Sequence, residues 1–368
     1  MSAILLKPKY VLLDTSQYVS AFKYWRSGDP SGYNAFFEAI SNFQIRPVFL
    51  TEHLVEFLAH ENDDEIVDRV RFLQTLPKIA TFKHRNSRTL GTVTDLWEAE
   101  IEHILRFGSA PPKGLFSTVI FESISFNEMF RDQTGLSNLI DEARNHTKQS
   151  RLDTSIVRMP PLIDESQTVY EFFSRARRNT SDRDQQIKKI SAFAEVSALH
   201  LGDKRIRDPR EVGLWLYREL NSMKAQIGET DIYEFALDYQ GIPRQAINSK
   251  TTMREFSWLG TIGLLARVFS ERIGIKQESI FWCLQEKQSR CIVINHEIES
   301  HRDRKQRSTG GAIWDRNFIS CSPYVDVVYG DKNAMELVRR ARRSEVFFEA
   351  IGTVRRAKGL QEVLSDLI

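Results

Sequence analysis

Four carboxylates stand where strands of an α/β sheet would end. Asp14 directly follows the apolar run YVLL at 10–13, and Glu56 lies about one helical turn beyond the run at 45–50. Asp331 follows the strand-like run at 324–329 after Gly330, and Asp315 stands where a helix feeding that run would begin. In open parallel sheets, ligands gather outside the carboxyl ends of the strands. Four acids meeting there repel one another, and their ionised state calls for a cation. Hard oxygen ligands favour Mg²⁺ or Mn²⁺. Such ions activate water and stabilise both oxygens of an in-line phosphodiester displacement. Thr15 and Ser16, beside Asp14, are placed to orient a carboxylate or a water. Glu52, one turn before Glu56 on the same helix face, competes with it. Asp326 lies inside the last strand-like run and ranks below Asp331. Each acid also has an ordinary structural use, as a turn former, helix cap or solvated helix residue.

The elements that must hold these residues follow from hydrophobic period. Runs at 10–13, 45–50 and 78–83 read as buried strands, and 16–26, 32–43 and 63–76 as helices. A further helix starts with Thr51 as its N-cap. This alternation predicts a mainly parallel sheet flanked by helices. From about 86 to 307 the period turns helical, as in Val212, Leu216, Leu220 and Met223, or Phe256, Leu259, Ile262, Leu265 and Phe269. The polar stretch at 144–186 reads as a loop or boundary. Strand signals return at 324–329 and 345–350, with helices at 335–343 and 357–367. The chain is therefore expected to be one α/β domain (1–85 and 308–368) interrupted by an α-helical insertion or lobe (86–307).

The chain has 368 residues, 41% hydrophobic and 27% charged, with a net charge of +2. These are ordinary values for a globular protein with a core large enough to need no disulfide or metal staple. The overall charge does not mark a nucleic-acid binder, so such a role must come from local patches. Three cysteines without C-x-x-C spacing suit a reducing, cytoplasmic setting. The opening apolar run at 3–6 is too short for a secretory h-region and no run of about 18 apolar residues occurs, so neither a leader nor a membrane role is expected.

The segments YVLLDTSQYV, FLTEHLVEFL and GGAIWDRNFISCSPYVDVVYGDK resemble the three sequence blocks of PIN-domain nucleases. The first block is an apolar strand before Asp-Thr-Asn/Ser, matched by Asp14, Thr15 and Ser16. The second is a Ser/Thr-started helix with a Glu-Leu-like pair, matched by Thr51, Glu56 and Phe57. The third is an Asp opening a helix, then a strand ending near a final Asp, matched by Asp315 and Asp331. The wording before Asp331-Lys332 is similar to a bacterial branch of that family. The resemblance covers about 8–85 and 308–352, and the long helical middle departs from the short members. It implies a PIN-like three-layer α/β/α fold. It also implies a Mg²⁺/Mn²⁺-dependent endonuclease, with RNA favoured over DNA, in which Asp14, Glu56, Asp315 and Asp331 ligate metal.

Basic residues flank these acids in sequence. Arg302, Arg304, Lys305 and Arg307 precede Asp315, and Lys332, Arg339, Arg340, Arg342, Arg343, Arg355, Arg356 and Lys358 follow Asp331. A phosphodiester strand needs such a counter-field beside an acidic centre, and Arg304, Arg307, Lys332 and Arg339 are the candidate contacts. The alternative is a solvated helix face with acids interspersed. The helical middle is expected to shape a substrate channel or to bind a protein partner or inhibitor.

Other chemistries lack their signatures. His296 and His301 are five apart, roughly 140° around a helix, which is wrong for a zinc pair. No P-loop, G-x-G-x-x-G or G-x-S-x-G occurs. Two rivals to the nuclease remain: a catalytically silent PIN-like module binding RNA or protein, and a helical scaffold in which the acids stand far apart.

Overall fold

The computed structural model describes residues 8–42, 45–83, 90–112, 116, 119–131, 133–157, 164–178, 183–201, 206, 208–227, 231–286, 289–301 and 312–367. The first elements are β1 (Lys9–Leu13), α1 (Thr15–Ser27), α2 (Pro30–Ser41), β2 (Ile45–Val48), α3 (Thr51–Leu58), α4 (Asp63–Thr75) and β3 (Ile79–Phe82). The middle holds α5 (Val93–Phe107), β4 (Phe121–Ile124), α6 (Phe126–Met129), α7 (Gln133–Val157), α8 (Val169–Arg178), α9 (Arg183–Leu201) and α10 (Arg210–Ile227). It continues through α11 (Ile232–Gln240), α12 (Met253–Ile273), α13 (Gln277–Gln285) and α14 (Arg290–Ser300). The last elements are α15 (Ala312–Ser320), β5 (Val327–Gly330), α16 (Lys332–Ala341), α17 (Glu345–Ala350), β6 (Val354–Arg356) and α18 (Leu360–Leu367).

The strands form one mixed six-stranded sheet in the order β4-β3-β2-β1-β5-β6, parallel except where β4 runs against β3. Successive side chains of β1 enter opposite cores, as a period of two requires. Val11 and Leu13 pack with Tyr18, Phe36, Phe57, Phe72 and Leu364 on one face. Leu12 packs with Trp97, Phe256, Phe281, Phe318 and Val338 on the other. Thus α1 to α4 and α18 cover one face, and α5 with α12 to α17 cover its reverse. No helix among the described residues is long and apolar enough to cross a membrane.

Several expectations need correction. The segment 86–307 is not purely helical, because β4 extends the sheet beside β3, with Ile79 opposite Ile124. Its helices α5, α8 and α11 to α14 also share a continuous apolar core with the sheet, whereas α9 and α10 pack on each other in a separate small cluster. Much of the stretch at 144–186 is helix, in α7 and α8. Among its described side chains only Val169 and Phe173 are buried, which accounts for the polarity. Residues 345–350 form a helix, not a strand, because Ser344 caps it by accepting a hydrogen bond from the Phe347 N–H. The edge strand is instead β6, whose three residues (Val-Arg-Arg) carry little strand signal. Thr51 is not a cap. Leu50 holds that position, and the Thr51 hydroxyl donates to the Leu90 carbonyl (2.8 Å).

Candidate functional site

The carboxyl ends of β2, β1 and β5 are neighbours, and each leads into an acid. Asp14 caps α1: its Oδ1 accepts from the Ser16 N–H at 2.7 Å. Asp331 caps α16 in the same way, accepting from the N–H groups of Asn333 (2.6 Å) and Ala334 (2.9 Å). Strand pairing sets Leu13 opposite Tyr329, and the Asp14 N–H donates to the Tyr329 carbonyl (3.1 Å). The two aspartates therefore leave adjacent strands almost side by side. Gly330 makes the turn possible, since a Cβ there would stand 2.6 Å from the Ala334 side chain.

Glu56 approaches from the helix after β2. Its Oε2 accepts a 2.6 Å hydrogen bond from the Thr15 hydroxyl, which ties α3 to the start of α1. Asp315 comes from the opposite face of the sheet, on α15, and is nearly buried at 9% exposure. Burial pushes its carboxyl well above the usual range, and repulsion from Asp331, Asp14 and Glu56 pushes it further. Burial also raises Asp14; hydrogen bonds from Ser16 pull it back, and Asp331 repels it. Asp315 thus feels the charge of all three other acids, and Asp14 that of Asp331, which brings carboxylates from both extremities of the chain to one locus.

In chemistry this set fits a hard divalent cation: oxygen donors only, and repulsion that positive charge relieves. As they stand, no three His, Cys, Asp or Glu side chains among the described residues are grouped closely enough to hold an ion. The helix caps occupy one oxygen each of Asp14 and Asp331.

The remaining candidates separate. Thr15 and Ser16 each bond a carboxylate of the set. Glu52 serves another element: its buried carboxyl accepts from the Val93 N–H (2.9 Å) at the start of α5. Its Oε2 has no hydrogen-bond partner among the described residues. Asp326 lies at the wrong edge of the sheet. It exchanges hydrogen bonds with the backbone of Tyr10, its Oδ2 accepting at 2.7 Å, where β1 and β5 begin. The four residues of β5 lie between it and Asp331, five residue steps or roughly 16 Å along the strand. Arg304 and Arg307 fall outside the described residues. Lys332 is exposed at the first position of α16. Arg339 is paired through both Nε and Nη2 with Glu336 (2.7 Å each), so its charge is partly spent. A cavity of about 520 Å³ beside Asp331 is nonetheless lined by Lys332, Arg340, Arg342 and Arg356 as well as Arg339. Arg356 reaches it because β6 pairs Arg356 with Gly330.

No family model, curated protein or solved structure matches this chain. The site's own geometry therefore carries the functional argument.

That geometry includes a residue which sequence reasoning passed over, His53. It is fully buried, and its Nδ1 accepts from the Leu50 N–H (2.9 Å). This fixes Nε2 as the protonated nitrogen, and it bonds the Leu13 carbonyl at 2.7 Å. The ring stacks on Phe318 (centroids 4.4 Å apart, planes at 16°). His53 therefore joins the end of β1, the start of α3 and the middle of α15, three elements that carry Asp14, Glu56 and Asp315. A lone histidine inside an apolar helix pattern gives no sequence signal for such a role.

Burial lowers His53 to about 3 and raises Glu52 to about 7. Neutral His53 contributes stability that is present above its unfolded value and lost as pH falls toward 3. Protonated Glu52 contributes stability that is present below its unfolded value and lost as pH rises toward 7. Each changes stability by about 1.4 kcal/mol per pH unit where it acts alone, and between about pH 4.5 and 6.5 they oppose. Glu52→Gln should remove one side of this balance. Its Tm is expected to rise from pH 4.5 to 6.5 more steeply than that of the wild type, measured by calorimetry. Parallel profiles would exclude the assignment.

Proposed function

We propose that the protein is a PIN-like, Mg²⁺/Mn²⁺-dependent endonuclease that cleaves RNA in preference to DNA. The observation that carries this reading is the electrostatic convergence of Asp14, Glu56, Asp315 and Asp331 at the carboxyl edge of the central strands. These four residues would hold the ion, and a bound ion would activate water and offset charge developing on the phosphoryl oxygens. Thr15 fixes the direction of the Glu56 carboxylate, and the backbone of α1 and α16 fixes Asp14 and Asp331. Asp315 must give up its proton to act as a ligand, so cleavage should rise with pH. Lys332, Arg342 and Arg356 line the neighbouring cavity and supply positive charge for a phosphate backbone. The three buried free cysteines support a reducing, cytoplasmic setting.

The test is cleavage of single-stranded RNA with Mn²⁺ by Asp14→Asn and Asp331→Asn. Asn caps a helix about as well as Asp, so these changes remove charge while sparing the caps. Losing several kcal/mol of metal-derived stabilisation predicts a loss of about a hundredfold or more. Cleavage undiminished in both variants would refute the proposal.

One observation favours a silent RNA- or protein-binding module: two of the four acids are already engaged as caps, and no three described side chains form an ion-holding group. Calorimetry separates the readings. No Mn²⁺ binding, with RNA binding retained, would select the silent module.

A further inference from the structure

Away from the acids, a cavity of about 540 Å³ opens between α12 and α14. One wall is an indole–imidazole pair: Trp258 on α12 and His296 on α14 lie with ring centroids 3.7 Å apart. Trp258 is half-buried, and its indole N–H donates to no group among the described residues. Lys250 and Arg254 stand on the rim, both exposed. Lys250 has no acidic partner among the described residues, and Arg254 bonds Glu165 through Nε (3.3 Å). The Asn248 and Gln285 amides and the Ser300 hydroxyl also line the space, as does the Glu255 carboxylate, whose Oε2 is turned to the Thr252 N–H (2.8 Å).

The cavity is tied to the acid-bearing helix. Arg316 Nη1 pairs with Glu299 at 2.7 Å, and the Asn295 amide donates to Asn317 Oδ1 at 3.1 Å, so α14 is bolted to α15. His296 and Ser300 each stand next to one of these α14 anchors, and Asp315 stands next to Arg316. Packed helices lie about 8–10 Å apart. The cavity therefore borders the helix packed on the acid-bearing α15, and α16, which borders the basic cavity beside Asp331, packs against both α14 and α15.

An aromatic wall, an unused ring N–H, two rim cations and amide groups form a combination that suits a flat heterocycle carrying a phosphate. Base–aromatic stacking tolerates any base because every base has a π-face, and cations track the backbone. We infer that this cavity is a nucleotide subsite, taking one base beside Trp258 with its phosphate toward Lys250 and Arg254. It deepens the nuclease reading by giving the helical middle of the chain a substrate contact, and it is tested without cleavage.

The probes are a fluorescently labelled ten-nucleotide oligoadenylate and ADP, titrated against the full chain in EDTA. Anisotropy reads the first, and competition reads the second. Trp258→Ala is expected to weaken oligonucleotide binding about tenfold, with Trp258→Phe restoring most of it. Lys250→Ala/Arg254→Ala, which changes only exposed side chains, should weaken it severalfold. Lys188→Ala/Lys189→Ala removes the same charge from α9 and should leave binding unchanged. If ADP competes and loses affinity in the same variants, the subsite serves free nucleotides; if only the oligonucleotide responds, it serves a unit of a strand. Wild-type protein that binds neither probe, cavity variants that bind as the wild type does, or a control that loses as much would each overturn the inference. None of these results depends on whether the acids bind metal.

Discussion

Asp315→Asn is expected to make the protein more stable and less active at once. Asp315 is buried and faces three other acids, so its carboxyl holds its proton far above the usual range. Below the unfolded value both states are protonated and no penalty exists. As pH rises toward the folded value, the unfolded chain ionises freely while the folded chain resists, and stability falls. At neutral pH the wild type carries that penalty, and an amide of the same shape does not. Calorimetry at pH 7.5 in EDTA should show Tm raised by roughly 1 °C or more, the shift that about 1 kcal/mol gives in a chain of this size. Adding Mn²⁺ at about a hundred times its dissociation constant should stabilise the wild type by about 2.7 kcal/mol and the variant much less. Cleavage should fall about a hundredfold or more. A variant that melts lower and still cuts would remove Asp315 from the site.

His53→Ala should give the largest loss of stability among these variants. The change empties an aromatic-sized space beside Tyr18, Phe49 and Phe318. It also strands the Leu50 N–H and the Leu13 carbonyl, both buried. Orphaned groups cost about 1–3 kcal/mol each, and such cavities about 2–5 kcal/mol, so roughly 4 kcal/mol or more is expected from urea unfolding. His53→Phe keeps the stack and loses only the two bonds, so it should fall between. Because Leu13 precedes Asp14 and Glu56 follows His53 by three residues, both variants should weaken Mn²⁺ binding about tenfold, as loss of an orienting partner does. Unchanged Mn²⁺ affinity in His53→Phe would confine the histidine to a packing role.

The sequence carried the central strands and their acids because buried parallel strands are short, continuous apolar runs, and the residue after each is easily found. Asp14 and Asp331 stand where that reasoning put them, directly beyond β1 and β5. Asp326 shows where it weakens. Whether a strand-like run starts at 324 or 327 decides which edge of the sheet an acid occupies, and only pairing with Tyr10 fixes that. The segment at 345–350 carries a short apolar run that reads as a strand, but a single serine hydroxyl at its start favoured a helix. β4 and β6 are too short, at four and three residues, to announce themselves. His53 and the Trp258–His296 pair were invisible for another reason: their partners lie on other elements, and no local pattern reports contacts across a sheet or between helices.

β5 completes the sheet between β1 and β6, although Tyr10 and Asp326, which share its first rung, are 316 positions apart in the chain. A polypeptide growing from its amino end therefore displays β1 with one flank bare through most of its synthesis. Two of the four acids have not yet been translated at that stage. The unfinished product lacks half of the proposed site, and the same bare flank is an open edge that a neighbouring nascent chain can join. Ribosomal pausing ahead of residue 312 should therefore favour aggregates over premature activity.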